Sequence, residues 1–474
     1  MRHKLWMLAL LTALASCASL QPSYERPVAP VASTFAFDLA SGPAASEIGW
    51  SAFFADPQLK QLIELALANN RDLLVAVLNI EQARAQFQVR RADALPTLNA
   101  GIAGTRMPQG SSNSNNNNGS ITSSSSVSSV YSVGVAVTGY ELDLFGRVRS
   151  LSDAALATYF GSAEARKAVQ ISLIANVAAT YLAGLSNGEQ IELTRQTIAT
   201  REDSLRLTKL KFDSGVVSEL DYQQALSLLE GAKATLAQLQ RQRAQDENAL
   251  TLLIGAPLPA QLPAALRLAG QQLAADLPAG LASELLMRRP DVRQAEQSLI
   301  AANANIGSAR AAFFPRIALT GSAGSVSSDL GNLFQSGSFA WSFAPSISLP
   351  IFDAGRNRAN LEAAKVSRDI ALAQYERAIQ SAFREVADAL ASRAMLSEQL
   401  RAQQAQAAAL AQSFKLADLR YRNGAASYLD VLDAQRSLFA AQQAALQVLA
   451  LQVQNAVSLY KVLGGGWKEN SKAQ

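Results

Sequence analysis

Residues 415–440 read KLADLRYRNGAASYLDVLDAQRSLFA. A helix rich in Ala, Gln and Leu runs into Asn423-Gly424, where glycine tolerates the left-handed conformation that ends helices. Ser427 then opens a new helix with Asp430 three residues on, the spacing at which hydroxyl and carboxylate satisfy the orphan N–H groups of the first turn. One turn deeper, Asp433 and Arg436 stand at i,i+3 and share a helical face. Residues 212–230, FDSGVVSELDYQQALSLLE, carry the same tip. Gly215, Ser218, Leu220, Asp221 and Ala225 lie 209 positions before Gly424, Ser427, Leu429, Asp430 and Ala434. The chain is an internal duplication of a helical hairpin.

The duplication extends outward from the tips. No proline occurs between 109 and 256, and helical character holds from about Val148 to Asp213, on the order of 100 Å if straight. A return helix over 219–254 ends at Gly255. In the second half a long helix climbs to Asn423 and a return helix descends to Gly464-Gly465-Gly466. Both return helices carry one apolar seam, Tyr222, Ala225, Leu229, Ala232, Leu236 and Leu239 in the first, Val431, Ala434, Leu438, Ala441, Ala445 and Val448 in the second. Such a seam packs like a coiled coil, and its alanines permit close helix approach. Ordinary core burial fits the spacing equally.

Ahead of each long helix lie shorter helical patterns, 57–94 and 281–312, stopped at Leu95-Pro96 and Phe314-Pro315, and then two alternating segments. In 131–141, Val133, Val135 and Val137 share one face. In 339–351, Phe339, Trp341, Phe343, Ile347, Leu349 and Ile351 alternate with small residues. Residues 97–106 alternate loosely. Between the first two segments, QGSSNSNNNNGSITSSSSVSS is too polar to bury apolar surface and reads as a water-exposed loop. Segments of about 10–13 residues can cross a bilayer when tilted. Four strands cannot close a barrel and open edges are not tolerated in hydrocarbon, so membrane entry would require chains to associate. A water-soluble four-stranded sheet is the alternative.

The N-terminus points to the compartment. Arg2, His3 and Lys4 precede an apolar run from Leu5 to Leu14, and residues 1–16 read as a signal peptide. The run is too short to anchor a helix across a bilayer. Leu14-Ala15-Ser16-Cys17 resembles the lipobox of bacterial lipoproteins, whose cysteine is acylated and becomes the new N-terminus. An incidental cysteine beside a cleavage site is the alternative. Cys17 is the only cysteine, which excludes an intrachain disulfide. Ala18 stands where an inner-membrane retention signal would carry Asp, so the resemblance implies the outer membrane. Residues 17–56 read as a Pro-rich, lipid-anchored linker, followed by the repeats 57–280 and 281–474.

Without Arg2 and Lys4, 40 basic residues face 38 acidic ones, and no basic stripe marks a nucleic-acid surface. The sole histidine, His3, lies in the signal; no metal site, P-loop, Rossmann glycine pattern or catalytic constellation is present, and no cofactor beyond a covalent lipid on Cys17 is expected. The chain reads as a non-enzyme.

The lipobox, the two-fold repeat, the tip YRNGAASYLDVLDAQRSLFAAQ and the terminal VSLYKVLGGGW resemble the TolC/OprM family, in particular the outer-membrane lipoproteins of resistance–nodulation–division efflux systems. The resemblance implies an α+β membrane protein. Its homotrimer would form a twelve-stranded outer-membrane β-barrel, four strands per chain, continued by a twelve-helix periplasmic α-barrel. It implies as partners a periplasmic adaptor and an inner-membrane resistance–nodulation–division transporter, with the barrel and anchor in outer-membrane lipid. Asp433 and Arg436 match the family's charged constriction, with Leu429 one turn outward. The loops Gly215-Val216-Val217-Ser218 and Gly424-Ala425-Ala426-Ser427 match the adaptor-docking tips, though turn chemistry alone would place Gly and Ser there. The expected function is a passive exit duct for small toxic compounds, gated at its tips. A duct for type I protein secretion and a non-pore, lipid-anchored coiled-coil scaffold are the alternatives.

Overall fold

The computed structural model describes residues 19–37, 45–109, 126–271, 277 and 288–467. The signal, Cys17 and most of the Ser/Asn-rich loop lie outside them, as does the start of the helix expected from 281. The described chain divides into two compact units.

The first unit gathers the described residues up to Arg26 with Glu81–Phe160 and Gln297–Ala373. It holds a four-stranded antiparallel sheet in the order β1 (Leu98–Gln109), β2 (Ser126–Leu142), β3 (Arg316–Ser327) and β4 (Phe339–Ser348). The pairing aligns the alternating faces of the four strands. Ile102 opposes Val133, Val133 opposes Ser325, Ala323 opposes Trp341 and Gly321 opposes Phe343. The apolar sides of the strands therefore merge into one face, while Ser132, Gly134, Ser322 and Ser342 fall on the other. On that face the Ser322 and Ser342 hydroxyls are 2.7 Å apart. The aromatic side stays open: Trp341 is 72 % exposed and Phe339 69 %.

At the centre of the sheet Gly134 opposes Gly324. A Cβ at Gly134 would stand 2.5 Å from the Ala323 carbonyl oxygen, and one at Gly324 2.2 Å from that of Val133. Neither backbone could yield without breaking the ladder, so glycine is required on both strands. The ladder also runs further than the alternation suggests. β1 continues to Gln109 and β2 begins at Ser126, because Gln109 pairs with Ser126 and Pro108 with Val127. β4 stops at Ser348, so Leu349 and Ile351 lie beyond the strand.

An N-terminal strap lies along the helix Pro290–Ala311, over the part from Gln297 on that belongs to this unit. The Leu20 carbonyl accepts from Arg310 Nη1 at 3.1 Å, and the Pro22 carbonyl from Asn303 Nδ2 at 2.8 Å. Gly307 makes the contact possible, since a Cβ there would meet Gln21 Cα at 2.9 Å.

The second unit gathers Pro27–Ile80, Gly161–Glu296 and Gln374–Gln474 as far as described. We number its helices with the rest of the chain: α1 (Pro57–Asn69), α2 (Arg71–Ala92), α3 (Arg147–Asp213), α4 (Glu219–Ile254), α5 (Pro290–Ala311), α6 (Arg356–Arg422) and α7 (Tyr428–Val462). The two long helices both contain 67 residues and start 209 positions apart. The seam of the return helices is turned inward: Ala225, Leu229, Ala232, Val431, Ala441 and Val448 are buried.

The pattern over 57–94 is not one helix. Asn70 is extended (φ −63°, ψ 130°) and separates α1 from α2. Its side chain accepts from Leu73 N at 2.9 Å, capping α2, and donates to the Leu253 carbonyl at 2.8 Å. A polar residue inside helical periodicity here serves as a cap that also ties down the end of α4.

The core of this unit joins the segment before α1 to both return helices. Phe53 and Tyr460 stack with centroids 3.9 Å apart. Asp56 is fully buried and accepts from Gln58 N, from the Tyr181 hydroxyl at 2.8 Å and from Gln271 Nε2 at 2.7 Å. Multiple donors satisfy this buried carboxylate, the condition under which such a group is tolerated. The terminal glycines also have a packing cause, because a Cβ at Gly465 would stand 2.2 Å from the Tyr460 ring.

Candidate functional site

The two tips are built twice from the same local chemistry. Helix α3 ends in a Schellman motif: Gly215, at φ 71°, donates to the Phe212 carbonyl at 2.9 Å, and Val216 N to that of Lys211 at 2.8 Å. Helix α6 ends identically, with Gly424 at φ 70°, Gly424 N to Tyr421 at 3.0 Å and Ala425 N to Arg420 at 2.8 Å. Each return helix opens in a complete capping box. Asp221 N reaches Ser218 Oγ at 3.2 Å while Ser218 N reaches the Asp221 carboxylate at 3.1 Å. At the second tip the same two bonds join Ser427 and Asp430 at 3.3 and 3.1 Å. Asp221 and Asp430 are thus occupied by helix capping.

The turn residues expected to dock a partner are presented outward. Gly215, Val216, Ser218, Gly424, Ala425 and Ser427 are exposed, while Val217 and Ala426 are half-buried. Val216 is 70 % exposed, an apolar side chain at the apex with nothing in the chain over it.

Asp433 and Arg436 are brought together, the guanidinium Nη2 of Arg436 donating to Asp433 Oδ1. Both side chains are more than half exposed in the single chain, and so is Leu429 one turn toward the tip. An exposed i,i+3 pair contributes only a few tenths of a kcal/mol to its helix. The first hairpin carries Gln224 and Ser227 at these positions and forms a helix of similar length without the pair. Stability of the helix therefore does not explain the charges.

A second set of contacts at the tips is invisible in the sequence. Lys211 Nζ, at the end of α3, donates to the Tyr421 hydroxyl at 2.8 Å and lies 4.5 Å from the centre of that ring. Tyr421 also packs on Tyr428, centroid to centroid 5.1 Å, over a small core of Ala225, Val431 and Leu432. Burial raises the Tyr428 hydroxyl above the usual phenol range, keeping the ring neutral. The first hairpin has Phe212 where the second has Tyr421, so the phenol oxygen exists on one side only. These residues clasp the two hairpins of one chain at their ends. Among the described residues no cluster of His, Cys, Asp and Glu could hold a metal ion.

Comparison with known proteins gives the same two halves. A family model described as "Outer membrane efflux protein" matches residues 62–256 and again 281–465. The probable efflux pump outer membrane protein TtgC of Pseudomonas putida is 46% identical, the match covering 99% of this chain and 97% of that protein. Outer membrane protein OprJ of Pseudomonas aeruginosa is likewise 46% identical, over 97% of this chain and 96% of its own. Among solved structures, the open state of the Neisseria gonorrhoeae MtrE outer membrane channel superposes with a TM-score of 0.87. It is 44% identical, over 96% of this chain and 100% of that one.

Proposed function

The chain belongs to the outer membrane efflux protein family, and from that premise we propose that its duct is closed at the periplasmic end by the helix tips. The protein is the outer-membrane exit duct of an efflux pump, conducting small toxic compounds passively. Three copies bring twelve strands and twelve helices together, which removes the open edges that β1 and β4 leave in a single chain. Asp433 and Arg436 then occur three times around one axis, as stacked rings of opposite charge with Leu429 outside them. Such rings narrow a pore and filter by charge.

The observation that carries the gate is the asymmetry of the duplicated tips. Caps and turns are the same in both hairpins, whereas the charged pair stands in one. A pair so exposed is easily broken, which suits a closure that must open. Lys211 and Tyr421 hold the hairpins together beside it. The apolar apex residues Val216, Val217, Ala425 and Ala426 offer the contact for a periplasmic adaptor, which links the duct to an inner-membrane resistance–nodulation–division transporter. Cys17 carries the lipid that fastens the strap to the outer membrane.

Single-channel conductance in planar bilayers tests the gate, with wild type beside Asp433→Ala/Arg436→Ala. Small, rare openings in the wild type that become large and frequent in the variant are expected. Equal conductance would leave the duct standing and remove the gate from these residues. Two folded trimers that never conduct would overturn the duct itself.

A further inference from the structure

Beyond the gate, a small cavity of about 170 Å³ lies between α3, α6 and α7 and is lined by Gln196, Thr197, Thr200, Arg201, Gln435 and Gln442 among others. Arg201 is 5 % exposed, and no carboxylate among the described residues pairs with it. Its Nη1 donates at 2.5 Å to the Leu228 carbonyl inside α4, its Nε has no acceptor, and its guanidinium lies 5.1 Å from the Phe439 ring. A ring face offsets only part of a full charge. Burial alone pulls the guanidinium below its usual range, and the group nonetheless stays protonated because its ordinary value is so high. A buried cation without a counter-charge is costly, and native proteins rarely leave one.

Gln435, 8 % exposed, repeats the anomaly: its Oε1 is buried without a donor, and its Nε2 only just reaches Ser204 Oγ, at 3.5 Å. The two amide orientations are isosteric, so reversing it exchanges the orphan acceptor for a donor. The Thr197 and Thr200 hydroxyls are already committed to the Leu193 and Gln196 carbonyls. Available donors are thus Arg201 and the amides of Gln435 and Gln442, and no acidic side chain lines the cavity. The fold does not require this polarity, for 209 positions away the repeat has Leu410 opposite Arg201 and Leu226 opposite Gln435.

We propose that the cavity beside Arg201 is a binding site for a small monovalent anion, a halide or the carboxylate of a small acid, which neutralises the guanidinium between the two hairpins. Filled, it would fasten α3 to α6 and α7 about 18 Å behind the tip of α3. The volume admits an ion of that size.

Two measurements on the full-length trimer decide it. The first is anomalous diffraction from crystals soaked in bromide, with a peak expected beside Arg201. The second is the thermal midpoint at constant ionic strength, with gluconate replaced by chloride or, in a separate series, by formate. The wild-type midpoint should rise, Arg201→Lys should keep part of that rise, and Arg201→Met should lose it. A rise in chloride alone assigns a halide site, and a rise in formate alone a carboxylate site. Absence of bromide at Arg201 together with a flat midpoint in both series overturns the proposal. So does a carboxylate of a neighbouring copy seated on the guanidinium. If Arg201→Met does not fold, the bromide map and the wild-type series still separate these outcomes.

Discussion

Tyr421→Phe removes one oxygen from the clasp between the hairpins and leaves the ring in place. The lost contact is the 2.8 Å hydrogen bond from Lys211. At a solvent-exposed site such a bond contributes about 0.5–1 kcal/mol, the lower part of the usual range. Lys211→Met removes the cation over the ring as well, about another 0.5–1 kcal/mol. Any opening that parts the two hairpins breaks the clasp in all three copies. If the copies open together, the bias toward the closed state falls by roughly 1.5–3 kcal/mol in Tyr421→Phe and 3–6 kcal/mol in Lys211→Met. At about 1.4 kcal/mol per tenfold, the open-to-closed ratio should rise about ten- to a hundredfold in the first and at least a hundredfold in the second. Open probability in planar bilayers reads this directly, and entry of a bulky antibiotic into cells provides a second readout. Unchanged open probability in Lys211→Met, with trimers intact and Asp433→Ala/Arg436→Ala still opening, would refute the clasp and leave the charged pair as the closure.

Three further outcomes follow from the same geometry. Gly324→Ala forces a Cβ against the Val133 carbonyl, so the β2–β3 ladder should fail and heat-resistant trimers should disappear from semi-denaturing gels, whereas Gly101→Ala, with nothing within 4 Å, should leave them intact. Ser427→Ala removes one cap acceptor and should destabilise the second tip by about 1 kcal/mol, seen as faster hydrogen exchange over the first turn of α7 and none over α4. Burial opposes the charge on Asp291, yet hydrogen bonds from Arg289, Nε at 3.0 Å and Nη2 at 2.5 Å, hold its carboxyl below the usual range. A carboxyl lowered in the folded state stabilises above its unfolded pKa of about 3.9 and loses that contribution as pH falls through the folded value. Asp291→Asn should therefore flatten the acid limb of stability below about pH 4 without changing its slope near neutrality.

Much of the architecture is legible because it is written twice. The offset of 209 residues locates both long helices, both turns and both caps, and α4 begins and ends where the pattern places it. Local chemistry suffices there: a left-handed glycine, a cap hydroxyl and a carboxylate act within about six residues of one another. The Asp433–Arg436 pair is legible for the same reason, since i,i+3 partners on a helix must meet. Asn70 hides inside a helical pattern because its role depends on the Leu253 carbonyl, 183 positions away, which no periodicity reveals. The strand ends escape the alternation because polar residues near Gln109 and Ser126 stay in the ladder through backbone pairing, to which side-chain pattern is blind. The Lys211–Tyr421 contact spans 210 positions and requires knowing that the two tips lie side by side.

Duplication also separates what the fold needs from what something else needs. Gly215 and Gly424, Ser218 and Ser427, Asp221 and Asp430 recur, and the structure assigns each to a turn or a cap. Among the residues near the tips that do not recur are Asp433 against Gln224, Arg436 against Ser227, Tyr421 against Phe212, and Arg201 against Leu410. The hairpins are helices of closely similar length with the same termini, so none of these identities is needed to build one. Each is polar where its twin is neutral or apolar, and three carry a charge. The two hairpins of a chain meet different neighbours around a closed tube, and differences confined to contact surfaces would be expected from that alone. Asp433 and Arg436, however, are more than half exposed rather than packed, and Arg201 is buried with an N–H unanswered. The proposed gate accounts for the exposed opposite charges and the proposed anion for the buried cation, and both proposed sites fall where the repeat breaks its own symmetry.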